Sequence, residues 1–414
     1  VFGLQRLAFG DFPDCVNQFP LFVTTPLRLF NSLHGLRNFN MTVKKIIGKV
    51  HLWLGFTSGI AVFIIAVTGS LYAFQAEISK LTGKAFRHVT PQNTPYLQPT
   101  QLKEIAEKQL PGKHLHSVQY GAHNEAVVAT FYNFEPDNEY YYTIYANPYS
   151  GEVLKVKNMD RDFFRVVLLG HYYLWLPEAV GQRITIYATI IFVVMMITGI
   201  ILWWPRNKAA AKQRFSIKWN AAWRRKNYDL HNVLGFYMTW GVIFMAITGL
   251  IFGWQLLANA IYKTAGGKKS LTYQEPLSDT TRIAQATVLP VDKLWGQMQQ
   301  EHKDAATIEM HFPSTDKSAI EVAVNTDADT YWKTDYRFFD QYTLKELPVA
   351  HIYGRFKDAK GADKLLRMNY DIHVGAIWGL PGKILAFFIS LITASLPITG
   401  FMIWWGRRKK KPSR

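Results

Sequence analysis

The amino-acid sequence predicts a membrane protein, mainly α-helical, with four transmembrane helices in a duplicated two-span unit and two small α+β extracytoplasmic domains. Three observations predict it. Four long stretches carry no charge, the basic residues gather in three short segments, and histidines recur at the same offsets in the two halves of the chain.

Val50–Ala76, Ile184–Pro205, Leu230–Tyr262 and Ile384–Gly406 each run for 21 residues or more without Asp, Glu, Lys or Arg. About 20 apolar residues at 1.5 Å rise cross a hydrocarbon core, so each stretch reads as a transmembrane helix. Trp203, Trp204, Trp404 and Trp405 stand at span ends, where amphipathic rings favour the interface. The 414-residue chain has a net charge of +17, which in a soluble protein would suggest nucleic acid or an acidic surface. Here the segments 42–49, 206–228 and 407–414 hold 17 basic residues and no acidic ones. That is the positive-inside pattern, with both termini cytoplasmic, and it removes the reason to expect a nucleic-acid partner. The single cysteine, Cys15, excludes an internal disulfide framework and any cysteine-based zinc or iron–sulfur site.

The organisation follows in order. Residues 41–76 form the first span and 77–160 the first outer domain. Residues 161–205 form a re-entrant or interfacial helix plus the second span, and 206–228 a basic loop. Residues 229–262 form the third span and 263–364 the second outer domain. Residues 365–406 form another interfacial helix plus the fourth span, and 407–414 a basic tail. Thr100–Leu110 reads as a helix bracketed by Pro99 and Pro111, and Ala126–Tyr132 and Glu139–Ala146 as strands. "IYANPYSGEVLKV" reads as strand, turn, strand, with Asn147, Pro148 and Gly151 in the turn, and "YRFFDQYTLKELPVA" closes the second insert in the same way. Phe163–Leu176 and Leu365–Leu380 read as short helices broken by Pro177 and Pro381.

His51 is followed by Gly55-Phe56 and Thr68-Gly69, and His231 by Gly235-Phe236 and Thr248-Gly249, with 17 residues from His to Thr in both. The second and fourth spans share Thr198-Gly199 with Trp203-Trp204, and Thr399-Gly400 with Trp404-Trp405; His171 and His373 precede them. Ionisable groups near lipid are costly and mark function. By position, His51 and His231 share the inner depth, and His171 and His373 the outer. Two facing imidazoles at one depth suit bis-histidine haem ligation, in which no coordination position is left for oxygen. Gly199 and Gly400 fall near the inner pair. Gly69 and Gly249 lie about 25 Å along the helix from His51 and His231, at the outer depth. These glycines would admit a flat macrocycle, or simply close helix packing. Interfacial histidines, a zinc or copper site and a proton relay are the other readings. The sequence carries no dinucleotide fingerprint and no P-loop, so electrons would come from a partner or from quinol.

"KVHLWLGFTSGIAVFIIAVTGSLYAF", "YANPYSGEVL", "DLHNVLGFYMTWGVIFMAITGL" and the two "ITG…WW" spans resemble the PepSY-associated transmembrane family, and within it the integral-membrane siderophore reductases. The resemblance covers about Met41–Arg408. It implies two b-type haems, a location in the bacterial inner membrane with PepSY-like domains in the periplasm, and reduction of ferric siderophores or other ferric chelates. His51, His171, His231 and His373 would be the axial ligands. The electron donor would be quinol or a separate reductase. A siderophore or peptide permease component and a non-catalytic peptide-binding regulator are the competing functions.

Tyr140, Tyr141, Tyr142 and Tyr145 could form an aromatic platform or merely alternate in a strand. His114 and His116 could bind metal or be surface histidines, and Arg165, Arg183 and Arg367 could meet haem propionates or anchor at the interface. Residues 1–40 match nothing in the second half and lack the plan of a signal peptide. Met41 is the expected start, with an amphipathic surface helix as the alternative.

Overall fold

The computed structural model describes residues 35–135, 137–205, 207–281 and 290–408. The expected N-terminal extension lies outside the described residues as far as residue 34, as do Arg206 and residues 409–414; the chain is helical from Gly35. In chain order, α1 (Gly35–Tyr72) leads to α2 (Gln75–Thr82) and α3 (Lys84–Arg87). Helix α4 (Pro99–Gln109) precedes β1 (Ser117–Tyr120), β2 (Val127–Asn133), β3 (Tyr140–Ala146) and β4 (Val153–Asn158). Then come α5 (Phe163–Tyr173), α6 (Glu178–Trp203), α7 (Lys208–Arg214), α8 (Trp223–Gly253) and α9 (Gln255–Thr264). Helix α10 (Pro290–Glu301) precedes β5 (Thr307–His311), β6 (Ile320–Asn325), β7 (Asp335–Phe339) and β8 (Glu346–Leu347). Finally α11 (Gly361–Arg367) and α12 (Asn369–His373) lead to α13 (Gly379–Arg408).

Among the described residues, α1, α6, α8 and α13 are long and apolar enough to cross a membrane. Large side chains on them face outward, Ile60 at 77% exposure and Phe244 at 64%, a surface suited to lipid and costly in water. The protein is a membrane protein.

The chain divides into two compact units. The first takes the chain to Leu71, Leu169–Gln255 and the chain from Ile384, and so holds the four long helices. Small residues set their crossings. A Cβ on Gly55 of α1 would lie 3.2 Å from Met195 of α6, and one on Gly235 of α8 would lie 3.8 Å from Leu396 of α13. Phe56 packs edge-on to Trp404 with ring centroids 4.8 Å apart, and Trp203 stacks on Phe236 at 3.7 Å, tying α1 to α13 and α6 to α8.

The second unit, Tyr72–Leu168 with Leu256–Lys383, holds one eight-stranded antiparallel sheet in the order β4-β3-β2-β1-β5-β6-β7-β8. Each insert supplies a helix and then four strands, and β1 pairs β5 to join the halves, with Val118 opposite Met310. One face of the sheet is the core. Phe131, Ile144, Met310, Val322 and Val324 pack on it with Leu102 of α4 and Leu294, Trp295 and Met298 of α10. Tyr120 stacks on Trp295 with centroids 3.9 Å apart. The β3–β4 turn forms as its residues dictate: the Asn147 side chain accepts from Tyr149 N at 2.9 Å, and Gly151 takes φ +75°, which side chains disfavour. Asp340 plays the same part before β8, accepting from Tyr342 N and Thr343 N.

Two expected boundaries differ. The charge-free run Leu230–Tyr262 is not one helix: α8 ends at Gly253, Trp254 leaves helical backbone at φ −129° and ψ 90°, and α9 begins at Gln255. With its start at Trp223, α8 has 31 residues, about 46 Å of helix, and already exceeds a hydrocarbon core. Pro381 does not break the chain after His373. It lies in the first turn of α13, where its missing N–H costs nothing, and the break falls at Gly375, with φ +79°. Before the second span, α5 ends at Tyr173, Leu174 and Trp175 make the turn with φ 55° and 57°, and Pro177 stands at the N-cap position of α6.

Candidate functional site

His51 and His231 sit on α1 and α8, each opposite a Thr-Gly pair on the helix it crosses. His51 Nδ1 lies 2.9 Å from Thr198 Oγ1, and His231 Nδ1 lies 2.9 Å from Thr399 Oγ1. Each hydroxyl proton has a place within its own helix: Thr198 donates to Val194 O at 3.0 Å, and Thr399 to Ser395 O at 3.0 Å. A carbonyl can only accept; with the hydroxyl proton directed to it, the threonine oxygen would present a lone pair to the imidazole and Nδ1 would carry the ring proton. Nε2 is then the nitrogen that can bind a metal.

The glycines admit the imidazoles. A Cβ on Gly199 would lie 3.5 Å from His51 Cε1, and one on Gly400 would lie 3.2 Å from His231 Cε1. His171 is held in the same way against α1. Its Nδ1 lies 2.9 Å from Ile65 O and 3.4 Å from Thr68 Oγ1, and a Cβ on Gly69 would lie 2.8 Å from its Cε1. Thus Gly69 and Gly400 leave space that a histidine ring occupies, whereas a Cβ on Gly199 would make only ordinary contact with its ring. Thr68, Thr198 and Thr399 are site residues that reading the span pattern alone did not single out. The constant Thr-Gly dipeptide was the available signal.

His51, His231, Gly199 and Gly400 line one cavity of about 510 Å³ in the first unit. Its walls are mostly apolar and aromatic, with Phe56, Met195, Phe236 and Trp404 among them, and its polar members include Arg407, Tyr228, Asn232, Ser58, Thr239 and Thr393. The volume falls in the range of cofactor pockets, about 300–1,000 Å³. Two imidazoles with Nδ1 engaged, an apolar slot and a cation for anionic substituents fit a planar bis-histidine-ligated group. Among the described residues no group of three or more His, Cys, Asp or Glu gathers as a bare-ion site would require.

His373 ends α12 in the second unit, and Gly249 lies in α8 of the first. Near His373, burial pushes the Asp371 carboxyl up to about 6, opposed by the backbone N–H groups of Tyr331 and Trp332 that it accepts. The four tyrosines do not make one platform. Tyr140 and Tyr142 face the core, whereas Tyr145 turns to the other side and meets Arg87, and Tyr141 turns with it toward Arg165. His116 does not pair with His114; its Nε2 lies 2.9 Å from both Tyr132 Oη and His311 Nδ1. Arg367 is buried and donates to Thr334 O and Gly354 O, and Arg165 lies against the Tyr141 ring.

The sequence pattern of the PepSY-associated TM region matches residues 49–407, a stretch that contains all four histidines and their threonines. The chain belongs to the PepSY-associated TM family. The PepSY-associated match begins two residues before His51 and ends at Arg407, so it takes in both units. No curated protein matches the chain.

Proposed function

We propose that this member of the PepSY-associated family is a di-haem electron-transfer protein of the bacterial inner membrane that reduces ferric siderophores or other ferric chelates in the periplasm. The observation that carries the reading is the cavity lined by His51 and His231, each held through Nδ1 so that Nε2 would be the ligating atom. Haem bound there would supply one-electron exchange between a donor and chelated Fe(III), which leaves as Fe(II), held far less tightly by hard oxygen ligands. The two imidazoles would fill both axial positions and keep oxygen off the iron. Arg407 would balance the propionates. The haem would be of the b type, as the resemblance to the family implies. A second haem, with His171 among its ligands, would complete the reading.

The halves read as a duplication. The contact of His51 with Thr198 and of Gly55 with Met195 repeats, residue for residue, as His231 with Thr399 and Gly235 with Leu396. On this reading the two halves of the sheet are PepSY-like domains that position the chelate, the termini are cytoplasmic, and quinol or a separate reductase restores the electron.

The test is the purified protein. It should carry two haems per chain by pyridine haemochrome assay, with a low-spin bis-imidazole spectrum. When it is reduced anaerobically, ferric chelates should reoxidise it with stoichiometric Fe(II) trapped by a ferrous-specific dye. A well-folded protein without haem iron would end the proposal.

A further inference from the structure

Resting on that reading, we propose that Thr198 and Thr399 are positioning residues that fix the tautomer of His51 and His231 and thereby set the electronic character of the iron they hold. Three histidines meet one device. A threonine hydroxyl faces Nδ1 at each of them, Thr198 for His51, Thr399 for His231 and Thr68 for His171, and each lies one helical turn after a carbonyl, Met195 O, Leu396 O and Ile65 O, of which Ile65 O also lies 2.9 Å from its histidine's Nδ1. Each hydroxyl also bonds to that same carbonyl, Thr198 Oγ1 to Met195 O at 3.1 Å, Thr399 Oγ1 to Leu396 O at 3.1 Å and Thr68 Oγ1 to Ile65 O at 3.1 Å.

The hydroxyl proton therefore stays within its helix, and only acceptor lone pairs are left toward the ring. At His171 an Nε2–H tautomer would put two lone pairs, on Nδ1 and on Ile65 O, face to face. The shared arrangement favours Nδ1–H at all three. Donation from Nδ1–H raises the basicity of Nε2, and such outer partners of a ligating histidine govern both affinity and redox behaviour. Loss of the threonine acceptor leaves the N–H less polarised, makes Nε2 a weaker donor and favours Fe(II).

The experiment compares the wild type with Thr198→Val, Thr399→Val, Thr198→Ser and Thr399→Ser in the full-length protein. Valine keeps the shape and removes the oxygen, and serine keeps the oxygen. Expected for each valine variant are a roughly tenfold loss of haem affinity, an upward shift of one midpoint potential and altered ferric EPR g-values, all restored by serine. Solid-state ¹⁵N spectra of histidine-labelled, haem-free protein give a readout without the cofactor: a protonated Nδ1 at His51, assigned by its loss in His51→Gln, that changes in Thr198→Val. Haem-loaded valine variants with wild-type potentials and g-values, or an Nε2–H tautomer in the wild type, overturn the positioning role. A wild type that binds no haem but keeps the Nδ1–H tautomer overturns the functional reading and its electronic consequence, while upholding the tautomer assignment.

Discussion

His51 Nδ1 on α1 lies 2.9 Å from Thr198 Oγ1 on α6, 147 residues away in sequence, and Gly199 beside that threonine lies next to the ring. The same juxtaposition recurs at His231 with Thr399 and Gly400, and at His171 with Thr68 and Gly69. A hydrogen bond and a missing side chain therefore act together at each histidine, and they can be separated by substitution.

Alanine at the three glycines should act in a graded way, because the space left for a Cβ differs. The nearest ring atom is 2.8 Å away at Gly69, 3.2 Å at Gly400 and 3.5 Å at Gly199. Overpacking of this kind costs about 1–3 kcal/mol when the neighbour cannot give way. Gly69→Ala is expected to displace His171 and lose most of one haem, Gly400→Ala to lose part, and Gly199→Ala to be near neutral. Haem content and thermal midpoint, measured together, check the order. An equal effect at all three positions would refute it.

Much of this was legible in the sequence, because lipid imposes simple patterns. Charge-free runs marked α1, α6, α8 and α13, and the fixed spacing from His51 to Thr68 and from His231 to Thr248 pointed to the candidate residues. Local turn chemistry also read correctly at Asn147 and Gly151. The end of α8 at Gly253 was hidden, since α9 continues the uncharged run as far as Tyr262. The pairing of β1 with β5 could not be read either: it joins residues about 190 apart, Val118 and Met310 among them, and no local pattern specifies which strand edges meet. The partner of each Thr-Gly pair depends likewise on helix crossings, so the threonines were visible as a repeat and not as ligand supports.

The β1–β5 pairing makes a prediction about cooperativity. Val118 and Met310 face each other across it, both fully buried. Val118→Asp places an unpaired carboxylate in the shared core, at a cost of at least about 3 kcal/mol. Since both halves of the sheet share that core, amide protection should fall together in β2–β4 and in β6–β8. Hydrogen exchange with mass spectrometry reads the two regions separately; full protection retained in β6–β8 would show two independent halves.

Arg337 gives the sheet a dependence on acid. It is buried, and it pairs with Glu301 and with Glu346 at 2.8 Å. Burial opposes the charge of Glu346, but hydrogen bonds from Arg337 and Arg355 hold its carboxyl below the usual 4.5; Gln297 and then Arg337 do so for Glu301. Depressed carboxyl values mean that this stability is present above about pH 4.5 and is lost as pH falls through the lowered values. Arg337→Met should cost about 1–3 kcal/mol at pH 7, because the glutamates are only partly buried, and the gap from wild type should narrow below pH 4. Denaturant titrations of the two proteins at several pH values measure it, and a gap that stays constant with pH would contradict the assignment.

Removing the ligands one at a time distinguishes a haem pair from a packing pair. His51 and His231 come from different helices yet line one cavity, so each variant alone leaves the other imidazole clamped to its threonine. In His231→Ala, His51 would still hold iron on one side, with an open position on the other. The expected product is a high-spin, partly occupied haem that binds carbon monoxide, which the wild type does not, and that regains the low-spin spectrum when free imidazole is added. His51→Ala should behave alike, and the double variant should lose this haem entirely while the other remains, halving the haem content. If the histidines only packed the bundle, the single variants would lose stability without any change of spin state. Optical and EPR spectra at matched protein concentration, with and without imidazole, separate the two cases.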